Sequence, residues 1–143
     1  MLRISKLADY AVMITVKMAS RRYDWCSASD LVALTGLNVP TVRKILKLLS
    51  VKTILTARRG VSGGYLLSRG PNEISMLEVI EAIDGPIAFT ECCIDEKGAC
   101  QKLMCHMPEY WQLINRHIRQ SLRNFKLSDL AVLPDNKTSL VCQ

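Results

Sequence analysis

No stretch of this 143-residue chain approaches the roughly 18 consecutive apolar residues that crossing a bilayer requires, so a membrane-spanning protein is excluded. The opening MLRISKLADYAVMITVKMAS looks superficially like an export signal. Lys6, Asp9 and Lys17 interrupt its apolar pattern, and a cytoplasmic, membrane-free protein is expected. The chain also lacks any C-x-x-C pair. That speaks against the paired knuckles of structural zinc and against a dithiol oxidoreductase. Aromatic residues make up just 6%, against a hydrophobic share of 49%, a composition that suits a globular domain. Acidic residues are outnumbered, 13 to 19, leaving a net charge of +6. Such an excess is compatible with a polyanionic partner, provided the charge is gathered on one face.

Against these absences stands one local excess. Four of the six cysteines, Cys92, Cys93, Cys100 and Cys105, fall within TECCIDEKGACQKLMCH, and His106 follows directly. The segment is otherwise polar and unsuited to a core. Clustered thiols serve soft-metal ligation, disulfide formation or redox chemistry, and a reducing cytosol favours metal or redox roles over structural disulfides. Cys26 and Cys142 stand apart as spectator thiols, the first buried and the second in an exposed tail.

The remaining chain reads as mainly α. Apolar positions at Leu7, Ala8, Ala11, Val12, Ile14, Thr15 and Met18 keep a helical period over residues 2–20, with Ser5 as N-cap and Asp9 in the early part. After a polar connection, Ser29 is expected to cap a short helix over 30–35, closed by Gly36. Asn38 and Pro40 signal the start of the next helix, 40–50. Two short helices joined by a glycine turn form a helix-turn-helix unit. The polar side of the second helix carries Thr41, Arg43, Lys44 and Lys47 beside Pro40, as a helix entering a major groove would.

Residues 53–68, TILTARRGVSGGYLLS, pattern as a β-hairpin whose tip is rich in glycine and flanked by Arg58 and Arg59. Gly63 and Gly64 permit backbone angles and close approaches that other residues resist. A hairpin directly after a helix-turn-helix is a wing, and arginines at its base can follow phosphates or enter a narrow minor groove. Ser75 and Glu78 form a capping-box signature for a helix over 75–83, read as packing the wing on the core. A long helix is expected over 108–130. The expected layout is a winged helix-turn-helix domain (1–85), a cysteine-rich segment (86–107), a dimerisation helix (108–130) and a tail (131–143).

The order of amphipathic helix, helix-turn-helix, RGVSGGYLLSR wing, EVIEAIDG helix and cysteine-rich segment resembles the Rrf-type winged-helix regulators, including the IscR-like and NsrR-like members. The opening MLRISKLADYA is similar to regulators of the SUF cluster-assembly operon. The resemblance covers about residues 1–130 and implies a non-enzymatic, homodimeric regulator of double-stranded promoter DNA. It further implies an iron–sulfur cluster, 2Fe-2S or 4Fe-4S, held by three cysteines five or six residues apart. Cys93, Cys100 and Cys105 match with C-x6-C-x4-C; Cys92 is the rival first ligand, because it follows TE as the family's first cysteine often does. For the fourth ligand the resemblance offers His106, closer to the last cysteine than the family's histidine, or Asp9, which matches an aspartate that reaches the partner chain's cluster. Zinc or a thiol–disulfide switch are the alternative uses of the same thiols. Pro40, Arg43 and Lys44 stand where the family often has Ser, Glu and Gln, which implies a different operator.

Overall fold

The structure is a computed structural model describing residues 3–21, 24–90 and 107–132. Cys92, Cys93, Cys100, Cys105, His106 and Cys142, and with them all of the expected ligand set but Asp9 and most of the expected tail, lie outside the described residues.

Helix α1 (Lys6–Ser20) starts at Ser5, whose Oγ accepts the Ala8 N–H at 3.1 Å. The backbone N–H and hydroxyl of Ser5 both donate to the Asp84 carboxylate, tying the helix start to a residue far along the chain. Ala8, Ala11, Ile14 and Met18 turn inward. Thr15 is buried with them because its hydroxyl donates back to the Ala11 and Val12 carbonyls.

Helix α2 (Ala28–Thr35) begins two residues before the expected start. Ser27, not Ser29, is the cap: a capping box needs an acceptor three residues on, and Ser27 has Asp30 where Ser29 has Val32. Gly36 closes the helix in the left-handed region, φ 71°, with its N–H on the Val32 carbonyl. Helix α3 (Val39–Val51) follows at once, its first turn held by Asn38 Oδ1, which accepts the Thr41 N–H at 2.9 Å. Val42, Ile45, Leu46 and Leu49 enter the main core.

Strands β1 (Leu55–Arg58) and β2 (Gly64–Leu67) form the antiparallel hairpin, with Leu55 opposite Leu67 and Arg58 opposite Gly64. On its other edge β2 meets Cys26, which exchanges two backbone hydrogen bonds with Tyr65 at 2.8 and 2.9 Å. The wing is thereby fastened to the residue just before the α2 cap. Cys26 itself is fully buried, as expected of a spectator, and burial pushes its thiol up despite the opposing pull of Arg21.

Helix α4 (Met76–Asp84) has the Ser75–Glu78 capping box read from the sequence. Its main partners are α1, α3 and helix α5 (Met107–Asn124), rather than the wing that was expected to rest on it. Leu77 and Ile80 form a second apolar cluster with Ala8 and Ile87.

The stretch read as one helix over 108–130 is two. α5 ends at Asn124, and a short α6 (Leu127–Ala131) folds back onto α1. The cause is tertiary. Residues 125–127 pair with 74–76: the Met76 N–H donates to the Phe125 carbonyl and the Leu127 N–H to the Ile74 carbonyl. Lys126 is therefore extended, and Leu127 is fully buried in the core.

Candidate nucleic-acid interface and thiol segment

Burying one side of α3 fixes what the other side presents. Arg43, Lys44 and Lys47 are exposed, and among the described residues none has an ion pair. Pro40 is exposed in the first turn; Thr41 is half-buried with its N–H spent on the Asn38 cap. No carboxylate occurs anywhere in α3. A helix N-terminus carries a partial positive charge, so the helix start and its side chains have the same sign.

The two wing arginines have different roles. Arg58 lies over the Trp25 ring, 4.3 Å from its centroid, and its guanidinium donates to the Ser62 carbonyl at 2.7 Å. It braces the hairpin from the surface. Arg59 is exposed and has no partner among the described residues, which leaves it the wing cation free for a phosphate. Gly63 and Gly64 also answer an internal need. A Cβ at Gly63 would sit 2.3 Å from the Arg58 carbonyl oxygen. At Gly64, φ is 144° and a Cβ would sit 2.6 Å from the Cys26 carbonyl oxygen. The tip itself is closed by the Gly63 N–H on the Gly60 carbonyl.

The structure places Pro40, Thr41, Arg43, Lys44 and Lys47 on α3 and Arg58, Arg59, Gly63 and Gly64 on the wing, whose first strand contacts α3. The part Trp25 plays under Arg58 was missed. Trp25 and Arg58 are 33 positions apart, and no local pattern announces such a pair.

Asp9 is separate from this face. It is exposed in the first turn of α1, on a shallow groove of about 220 Å³ lined by Arg3, Ile4, Lys6, Val12, Met76 and Ile80. No ion pair or side-chain hydrogen bond occupies its carboxylate among the described residues.

The segment 91–106 is described through its flanks. Phe89 and Trp111 stack at 6.4 Å between ring centroids, and Arg119 on α5 is ion-paired with Glu81 on α4. The Phe89–Trp111 stack brings the chain before residue 91 close to the chain after its return at Met107. Beyond the return, Met107, Tyr110, Leu113 and Ile114 leave an apolar row exposed along α5. Among the described residues no group of three or more His, Cys, Asp or Glu side chains could hold a metal ion.

Helix-turn-helix, fastened wing and cationic α3 face define a winged helix-turn-helix transcriptional regulator. The chain belongs to the Rrf2 family, described as iron-dependent transcriptional regulators, whose profile matches residues 4–132. An HTH-type transcriptional regulator of Mycobacterium tuberculosis is 29% identical over 97% of this chain and 88% of its own length. IscR of Klebsiella pneumoniae is 27% identical over 90% of this chain and 79% of its own. In fold the chain is similar to CymR, the global cysteine regulator of Bacillus subtilis. That match has a TM-score of 0.74 at 23% identity and covers 92% of this chain and 97% of CymR.

Proposed function

We propose that the chain acts as a homodimer on promoter DNA and that an iron–sulfur cluster bound within residues 91–106 controls that binding. The observation that carries this reading is the concentration of four thiols in one segment whose flanks belong to α4 and α5. α4 packs on α1 and α3, so a ligand there adjoins both the reading head and the helix with the exposed apolar row. The donor set fits the group. Thiolates are soft and suit iron–sulfur clusters, and the pinned flanks lessen the entropy lost on gathering the ligands. Cys93, Cys100 and Cys105 would hold the cluster, with Cys92 as the alternative first ligand. His106 or Asp9 would complete the set; the Asp9 carboxylate is exposed and so open to a partner chain. When bound, the cluster would supply a redox- and nitric-oxide-sensitive centre.

The DNA contacts in this reading fall into two groups. Pro40, Thr41, Arg43, Lys44 and Lys47 face the major groove. Arg59 engages the backbone or minor groove beside the wing, which Arg58, Gly63 and Gly64 hold in shape. Charge alone supports the assignment to a polyanion; the arrangement on a helix and wing favours a duplex.

The test is anaerobic purification and reconstitution, followed by iron and acid-labile sulfide analysis and a visible spectrum. Brown protein containing both elements, lost on Cys→Ser exchange at positions 93, 100 and 105, supports the reading. Colourless, iron-free protein after reconstitution overturns it. Reversible disulfide formation in that colourless protein would favour a thiol switch, and stoichiometric zinc a structural metal.

A further inference from the structure

The α3 face has a one-sided hydrogen-bonding character. Arg43, Lys44 and Lys47 are donors without acceptor capacity. Asn38 would ordinarily offer both, but its side-chain oxygen already accepts the Thr41 N–H, while its amide hydrogens have no partner among the described residues. The Thr41 hydroxyl is the one exposed or half-exposed side-chain acceptor on this helix, because Ser50 Oγ is buried away from the surface. Val39 is 41% exposed at the first helical position, beside exposed Pro40. Neither residue belongs to the buried core clusters, so their exposed surface is left to a partner.

Base edges in the major groove differ in what they ask of a protein. Guanine presents two acceptors, O6 and N7. Thymine presents O4 and a methyl group. Cytosine presents a donor, N4, and calls for a carboxylate. Resting on the DNA-binding reading above, we propose that α3 reads guanine and thymine: Arg43 the O6 and N7 of a guanine, and the Val39–Pro40 surface the methyl group of a thymine. Lys47, farther along the helix, goes to phosphate. Residues 39 and 40 lie three to four positions before Arg43, so they share one side of the helix. At about 1.5 Å of rise per residue they are ~5–6 Å apart along the axis. That corresponds to about two base-pair steps of ~3.4 Å, so the thymine and the guanine are neighbours or near-neighbours in each half-site.

The experiment begins with selection of bound duplexes from a random library by the full-length chain, in both apo and anaerobically reconstituted forms. A thymine and a guanine one or two pairs apart should recur in each half-site. Synthetic sites then carry 7-deazaguanine, which lacks N7, or uracil, which lacks the methyl group. Each should weaken binding, about tenfold for the guanine and a few-fold for the thymine. Arg43→Ala should be indifferent to 7-deazaguanine and Val39→Ala to uracil, with circular dichroism confirming that both variants fold. Full affinity for both modified sites in the parent protein, or selected half-sites without such a thymine and guanine, overturns the proposal while leaving DNA binding in place. Failure of both forms to enrich any duplex overturns the proposal and the DNA-binding reading together.

Discussion

Arg58 and Arg59 are neighbours with the same charge and opposite duties. Arg58 is consumed inside the wing by the Trp25 ring and the Ser62 carbonyl, while Arg59 has neither. Arg59→Ala should therefore weaken promoter binding and reduce the slope of log affinity against log salt by about one contact, leaving thermal stability as it is. A mobility-shift series at several salt concentrations measures this; an unchanged slope would remove Arg59 from the interface. The exposed basic face of α3 was legible in the sequence, because helical spacing places Arg43, Lys44 and Lys47 opposite Val42, Ile45, Leu46 and Leu49. The division of labour between the arginines was not, since it depends on Trp25 across a connection and on the backbone of the turn.

Local signals carried far at the level of elements. Asn38 with Pro40, Gly36 as a left-handed stop, and Ser75 with Glu78 all act within four residues, and each stands where the sequence placed it. The break between α5 and α6 was hidden because pairing with residues 74–76 imposes it, and Leu127 is drawn into the core from the far end of the chain. Glu78 links its helix cap to the hairpin exit. Partial burial alone would raise its carboxyl, but the Arg69 guanidinium and the Ser75 N–H and hydroxyl outweigh that and hold it below the usual range. A depressed folded-state value contributes stability above the unfolded carboxylate value of about 4.3, and the contribution is lost as pH falls through the folded value. Glu78→Gln should thus be less stable than the parent at neutral pH, with the gap closing in acid below about pH 4. Urea unfolding across that range checks the sign; a gap that widens in acid would contradict it.

As a whole, the molecule has a reading head and an apolar row that nothing covers among the described residues. Leu113 and Ile114 are exposed in the middle of α5, while Arg119 and Leu122 on the same helix face α4 and the second apolar cluster. In the proposed reading a second copy of the chain covers this row and sets two reading heads on one duplex. Leu113→Glu combined with Ile114→Glu should yield a folded monomer in sedimentation and lower promoter affinity by at least about tenfold, since half of the contacts are forfeited. A dimer that survives both changes would place the interface elsewhere. The clustering of four thiols was legible from the sequence. The coupling proposed between a cluster and the reading head was not, because it depends on how two chains are spaced.

That coupling is the centre of the account. A ligand shifts an equilibrium only by its differential affinity for the two states. The most direct measurement is an anaerobic fluorescence-anisotropy titration of one promoter duplex with reconstituted protein and with the same protein after chelation of its iron. Dissociation constants that differ by tenfold or more are expected, a coupling of at least about 1.4 kcal/mol. Equal constants for cluster-bearing and stripped protein would contradict it.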